Sequence, residues 1–147
     1  MAIIFGPSYG GWKDYIMLPT EDPKVIELIF QKLFDRIFAD EMLKENLSGI
    51  NQVVMIKYER PDVSIYLHLN DGGSKIMFER DGVREPDVTL EMKWETAHKL
   101  WSGNLDIFMA LVSQRIKVDG QVDKLLGIKS LFGPVKEIYK EIVASVC

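Results

Sequence analysis

Residues 105–120 read LDIFMALV followed by SQRIKVDG, and the two halves obey different rules. From Leu105 to Val112 every position but Asp106 is apolar, so a helix here would have no polar stripe to turn toward water and would need cover on most sides. In the second half Ile116 and Val118 alternate with Arg115, Lys117 and Asp119, the period-two pattern of a half-exposed strand, and the segment stops at Gly120. The apolar half is far shorter than the ~18 residues a membrane span needs. It must therefore be a core helix or the wall of something hollow, and periodicity alone leaves both open.

The rest of the chain limits the context. A length of 147 residues allows one domain with a genuine core, and 47% hydrophobic, 27% charged residues and a mean hydropathy near zero are ordinary for a soluble globular protein. The formal charge of −4 gives no attraction to phosphate backbones, and the lysines and arginines are scattered rather than clustered with aromatics, so no nucleic-acid partner is expected. No apolar run is long enough to span a membrane, and the start, MAIIFGPSYGGW, lacks the positive region of a signal peptide. The single cysteine, Cys147, cannot form an internal disulfide, and Ser145-Val146-Cys147 is not a standard peroxisomal ending. Together these features point to a cytoplasmic protein.

Residues 1–21 form an apolar arm carrying Phe5, Tyr9, Trp12 and Tyr15, and residues 22–147 read as one domain. Asp22-Pro23 is an N-cap followed by a first helical position, and the helical pattern runs from Val25 through Phe38 toward Leu47, ending at Ser48-Gly49. Strands follow at Val53–Glu59 and Val63–Leu69. The turn Asn70-Asp71-Gly72-Gly73 then leads into a return strand, Lys75–Glu79. Counting back from that turn places Tyr66 across from Met77, and the preceding hairpin brings Met55 beside Tyr66. The three form an apolar row on the face opposite Val63, Ile65, Leu67 and Leu69, to be covered by the arm or by a second subunit. A fourth strand turns Val88, Leu90 and Met92 inward, and Ile116 and Val118 mark a fifth. Between them come a short helix, Glu95–Ser102, stopped by Gly103, and the apolar helix, capped by Asp106. Two final helical stretches are split at Gly133-Pro134, a junction that would serve either as the hinge of a lid or as the start of a docked terminal helix. One-sided alternation in successive hairpins makes a mostly antiparallel sheet with one covered face.

The usual signatures of chemistry are missing. There is no Gly-x-Ser-x-Gly elbow, phosphate loop or dinucleotide fingerprint, and Gly72-Gly73-Ser74-Lys75 belongs to a hairpin. His68 alternates outward, and His98, which could sit beside Glu95 or Glu91, reads as a surface residue with an acidic neighbour. With Cys147 the two histidines make no metal set, and the carboxylates are dispersed singly. What remains is apolar content: Trp101, Leu105, Phe108, Met109, Val112, Leu125, Leu126, Leu131 and Phe132, followed by a stripe that includes Tyr139. These residues fill a core or line a cavity.

A resemblance separates the alternatives. Ser102-Gly103-Asn104-Leu105-Asp106, the apolar helix, and Ser113-Gln114-Arg115-Ile116-Lys117-Val118-Asp119-Gly120 resemble, without a gap, the signature of the sterol carrier protein 2 family. Pro86-Asp87-Val88-Thr89-Leu90 is similar to that family's fourth strand and Glu95-Thr96 to the start of its short helix, so the likeness covers about residues 22–135. The chain departs from the pattern at Gln114, where the family usually has glycine, and at Ile107, where it usually has proline. The resemblance implies an α+β (α/β sandwich) fold: a five-stranded, mainly antiparallel sheet covered by helices, with an apolar tunnel between them. It implies no catalytic residues, and no cofactor or metal is expected. The expected ligand is a lipid or other long hydrophobic molecule (fatty acid, acyl-CoA, sterol or isoprenoid), bound, transferred or presented without catalysis. The residues from Trp101 to Phe132 named above, with Tyr139, would line the site, and Arg115 or Lys117 would meet a charged head. No membrane span is expected, transient membrane contact and a homodimer stay open, and an accessory protein presenting a hydrophobic substrate to an enzyme is the alternative.

Overall fold

The computed structural model describes residues 18–45, 47, 49–70, 73–80, 84–120, 123 and 132–147. Most of the arm expected over residues 1–21, and Leu125, Leu126 and Leu131, lie outside them. Helix α1, Pro23–Ala39, starts as its sequence dictates: Asp22 is extended and its carboxylate accepts from the Lys24 N–H at 2.9 Å, while Pro23 takes the position where no N–H is needed. Ile26, Ile29, Phe30, Leu33, Phe34 and Ile37 form its buried stripe. The helix stops at Ala39, short of the expected end near Leu47. Asp40 leaves the helical region (φ −88°, ψ 119°), and its carboxylate accepts from Met42 and Leu43 N–H to start α2, Glu41–Glu45. Aspartate competes with the helical backbone in this way, which is why it favours caps over helix interiors.

The strands are β1 (Gln52–Glu59), β2 (Val63–Leu69), β3 (Lys75–Met77), β4 (Val88–Lys93) and β5 (Lys117–Gly120), in the spatial order β3-β2-β1-β4-β5. Three pairings are antiparallel and one, β1 with β4, is parallel. This is the expected five-stranded, mainly antiparallel α+β architecture, but not a run of successive hairpins. After β3 the chain returns past β2 and lays β4 along the far side of β1. Asp87 fixes that placement. Its carboxylate accepts from the Val53 N–H and its own N–H donates to the Val53 carbonyl, both at 2.8 Å, while Arg84 pairs with it at 2.7 Å. The register counted from the 70–73 turn holds, with Tyr66 opposite Met77 and Met55 opposite Tyr66. Tyr66 is buried, and Met55 and Met77 are half-buried.

The inner face of the sheet is covered by α1 with α3 (Trp94–Trp101), α4 (Ile107–Val112) and α5 (Phe132–Val146). α3 closes as glycine there suggests: Gly103 (φ 84°) donates to Leu100, and Asn104 donates to Lys99 at 2.8 Å. Asp106 caps α4 by accepting from the Phe108 and Met109 N–H groups. Gly133-Pro134 does not split α5. Both lie in its first turn, where the N–H that proline lacks would have no intrahelical partner. The buried residues Val135, Tyr139 and Ile142 make α5 a docked helix.

Between α4 and β5 the chain reverses sharply, with the Arg115 and Ile116 N–H groups both donating to the Ala110 carbonyl. Gln114, at the position where the family pattern has glycine, carries that turn at φ 62°. A side chain in this left-handed region costs about 1 kcal/mol or more. Gln114→Gly should therefore raise unfolding stability by roughly 0.5–1 kcal/mol in urea titration, and a destabilised variant would show that the glutamine side chain supplies more than its backbone strain removes.

Candidate functional site

The interface between helices and sheet has a solid half and a hollow half. The solid half is organised by α3, whose Trp94, His98 and Trp101 recur at helical spacing and each bond a different element. Trp94 Nε1 donates to the Thr20 carbonyl at 2.8 Å, Trp101 Nε1 donates to Tyr58 Oη at 3.0 Å, and His98 Nδ1 lies 2.8 Å from Tyr139 Oη. Phe30 sits among them, with ring centroids 5.3 Å from Tyr58, 5.7 Å from Trp101, 5.9 Å from Tyr139 and 6.0 Å from Trp94. Such edge and tilted contacts add to the area the rings bury. Burial pushes the phenols of Tyr58 and Tyr139 up, so both stay protonated.

The hollow half is a cavity of about 80 Å³. α1 contributes Phe34 and Ile37, the sheet contributes Val54, Ile56, Leu67, Leu69, Leu90, Met92 and Val118, and the connections add Leu47 and Ile116. Leu100 and Trp101 of α3, Ile107 and Leu111 of α4, and Phe132 and Val135 of α5 complete it. Every one of these side chains is hydrophobic, so among the described residues the lining supplies no nucleophile, base or cation. Among the described residues no group of His, Cys, Asp or Glu could hold a metal, and no helix is long and apolar enough to cross a membrane. A void this size exceeds what a single water needs, roughly 10–15 Å³. It falls short of the ~300 Å³ of ligand pockets and of the several hundred expected for a tunnel. At ~24 cal/mol per Å³ it forfeits roughly 2 kcal/mol against a filled core, a real fraction of a domain's stability.

Of the residues singled out from the sequence, Trp101 and Phe132 lie on the cavity. Leu105 is partly buried against the core. Tyr139 is fully buried in the solid half, its hydroxyl held by His98. Phe108, Met109 and Val112 point outward, 37%, 63% and 78% exposed, and Arg115 and Lys117 are exposed. The inward face of α4 is instead Ile107, Ala110 and Leu111, with Ala110 fully buried against the 114–116 turn. In a segment apolar all round, hydrophobicity cannot say which side faces in, and one residue is a rotation of about 100°. Ala110 is fully buried, and its main-chain carbonyl accepts from both N–H groups of that turn. The strand residues of the lining were legible as the inward set of each alternation, and sequence reasoning missed them as site residues because core and cavity share one pattern.

His98 does not sit beside a carboxylate; its partner is Tyr139, and desolvation lowers its pKa. A histidine kept neutral by folding stabilises the protein above its unfolded pKa of about 6.5, and that stability is lost as pH falls toward the lower folded value. Acidification from pH 7.5 to 5 should therefore cost the wild type more stability than a His98→Gln variant in parallel urea titrations. Equal losses would mean that this imidazole does not couple α3 and α5 to pH.

A model described as the SCP-2 sterol transfer family matches residues 30–133. No curated protein matches the chain by sequence. Among solved structures, the sterol carrier protein domain 2 of Helicoverpa armigera matches with a TM-score of 0.61 at 20% identity, over 80% of this chain and 91% of that one. Sterol Carrier Protein 2 from Yarrowia lipolytica in its apo form matches with a TM-score of 0.59 at 14% identity, over 78% and 91%. A structure titled UbiJ-SCP2 Ubiquinone synthesis protein matches with a TM-score of 0.60 at 14% identity, over 76% and 96%. At these identities the structures show a shared fold and no more. The family model spans most of the chain, including the fourth strand, α3, α4 and β5, and the chain belongs to the SCP-2 sterol transfer family.

Proposed function

We propose that this chain reversibly binds one lipid by its hydrocarbon part and transfers or presents it, without chemistry. The single observation that carries this reading is the cavity: a void lined, among the described residues, only by hydrophobic side chains and kept open at a cost in stability. Membership of a sterol transfer family supports lipid binding or transfer. Fatty acids, acyl-CoA, sterols and isoprenoids all have the apolar surface that would drive entry at roughly 25 cal/mol per Å². Residues 22–147 act in this reading as one cytoplasmic lipid-binding domain. An elongated chain needs more room than the resting void, so the surrounding helices must part to admit it. Arg115 and Lys117 are exposed beyond the end of α4, where a charged head outside the cavity would meet them. The fold shared with the UbiJ-SCP2 ubiquinone synthesis protein favours a second reading, in which the bound molecule is presented to an enzyme rather than transferred.

The wall formed by α4 is one helix thick. Ile107 and Leu111 face the cavity, while Met109 and Val112 face outward. Between Asp106 and Asp119 the only charges are Arg115 and Lys117, a local +2 in a chain of −4. Apolar side chains flanked by cations suit transient contact with an anionic lipid surface. A helix roughly 9 Å long offers far less than the ~800 Å² per partner of a stable interface.

Two experiments test the proposal. Val54→Phe should fill the void, raising stability by about 1 kcal/mol, or roughly 2–4 °C in Tm, while abolishing binding of a fluorescent fatty acid. Undiminished binding would place the ligand elsewhere. Separately, a Met109→Gln/Val112→Gln double variant should bind phosphatidylglycerol-containing vesicles about tenfold more weakly in flotation, with fatty-acid binding from solution retained; equal flotation would remove α4 from the contact.

A further inference from the structure

The cavity ends at the same level on three separate elements. On β1, Ile56 lines it and Tyr58, the next residue on that face, does not. On α1, Phe34 lines it and Phe30, one turn earlier, does not; on α5, Val135 lines it and Tyr139, one turn later, does not. Tyr58, Phe30 and Tyr139 are all fully buried, so the void stops there because the space beyond is filled. Trp101 belongs to both sides of that boundary. It lines the cavity, and its ring centroid lies 5.8 Å from Phe34 and 5.3 Å from Phe132, which line it too. The same ring lies 5.7 Å from Phe30 on the filled side, where Tyr58 Oη accepts its Nε1–H at 3.0 Å.

We infer that Trp101 is the specificity-determining residue for ligand length: its indole is the end wall at which the apolar terminus of a bound chain stops. The inference rests on the lipid-binding reading and narrows it to ligands that enter apolar end first, with an upper limit on the buried chain. Tryptophan has one polar hydrogen, and here Tyr58 already takes it, so the wall offers an incoming group only ring carbon. A polar terminus stopping there would lose its water with nothing in return. Moving the ring aside for a longer chain would strand two buried polar groups, Trp101 Nε1 and Tyr58 Oη. That costs more than one further buried methylene returns.

The test is a length series on the full chain, with even-numbered saturated fatty acids from octanoic to eicosanoic acid displacing one fluorescent fatty acid. With wild type, affinity should climb about fourfold per added methylene and then level off at the length whose end reaches the ring. Trp101→Leu should move that break to longer acids by about two carbons or more, with shorter acids bound as before. Trp101→Phe, which keeps a ring against Phe30 and Phe34, should move it less, and it serves where the leucine variant folds poorly. A wild-type measurement needs no variant. 12-Bromododecanoic acid should quench tryptophan emission more than 2-bromododecanoic acid, because only the first carries its heavy atom to the wall. No break in wild type, a break unmoved in a folded variant, or equal quenching by the two bromo acids overturns the inference and leaves the lipid reading standing. Displacement by no acid of any length overturns both.

Discussion

The parallel pairing of β1 with β4 is the constraint on which the rest of the structure depends. A parallel neighbour cannot be reached by a hairpin. The chain must therefore leave β3 at one edge, return past β2, and enter β4 in line with β1. Asp87 secures that entry with two main-chain bonds to Val53 and an ion pair to Arg84. Once β4 is in place, β1 is interior and paired on both sides, and the next segment has only the covered face to occupy. α3 follows β4 without a break, α4 and the Gln114 turn reverse the chain, and β5 adds at the free edge of β4.

That order explains why the interior is uneven. α3 lies where three polar aromatic groups reach Thr20, Tyr58 and Tyr139, so its side of the interface closes around Phe30 with Trp94 Nε1, Trp101 Nε1 and His98 Nδ1 each bonded. α4 is held mainly at its ends, by the Asp106 cap and by the Ala110 carbonyl, and it offers only Ile107 and Leu111 to the sheet across the gap. A six-residue helix anchored at its termini bridges a void that a longer amphipathic helix would fill. The void follows from how little side-chain volume α4 projects inward.

The buried polar groups of β1 differ from one end of the strand to the other. Tyr58 faces inward but is satisfied by Trp101, and burial keeps it neutral. Gln52, at the other end of the same strand, has no such neighbour. One strand thus carries a satisfied buried polar group at one end and an unsatisfied one at the other.

The sequence by itself determined the elements and most of their limits. Asp22-Pro23 set the start of α1, Gly103 and Asp106 set the break between α3 and α4, and the 70–73 turn fixed the register that places Tyr66 between Met55 and Met77. These are local effects of capping, positive φ and period-two alternation, and each can be read from a few neighbouring residues. Tertiary structure decided what those rules do not reach. The parallel neighbour of β1 depends on Asp87 meeting Val53 across 34 residues of chain. The inward face of α4, with Ile107, Ala110 and Leu111, was set by packing against the core, because a helix apolar all round carries no phase of its own. Gln52 looks like any polar residue at a strand start, and only the packing around it makes its oxygen buried and alone. Core and cavity are written in the same hydrophobic residues, and the difference between them is volume left unfilled, a property of the assembled layers rather than of any stretch of chain.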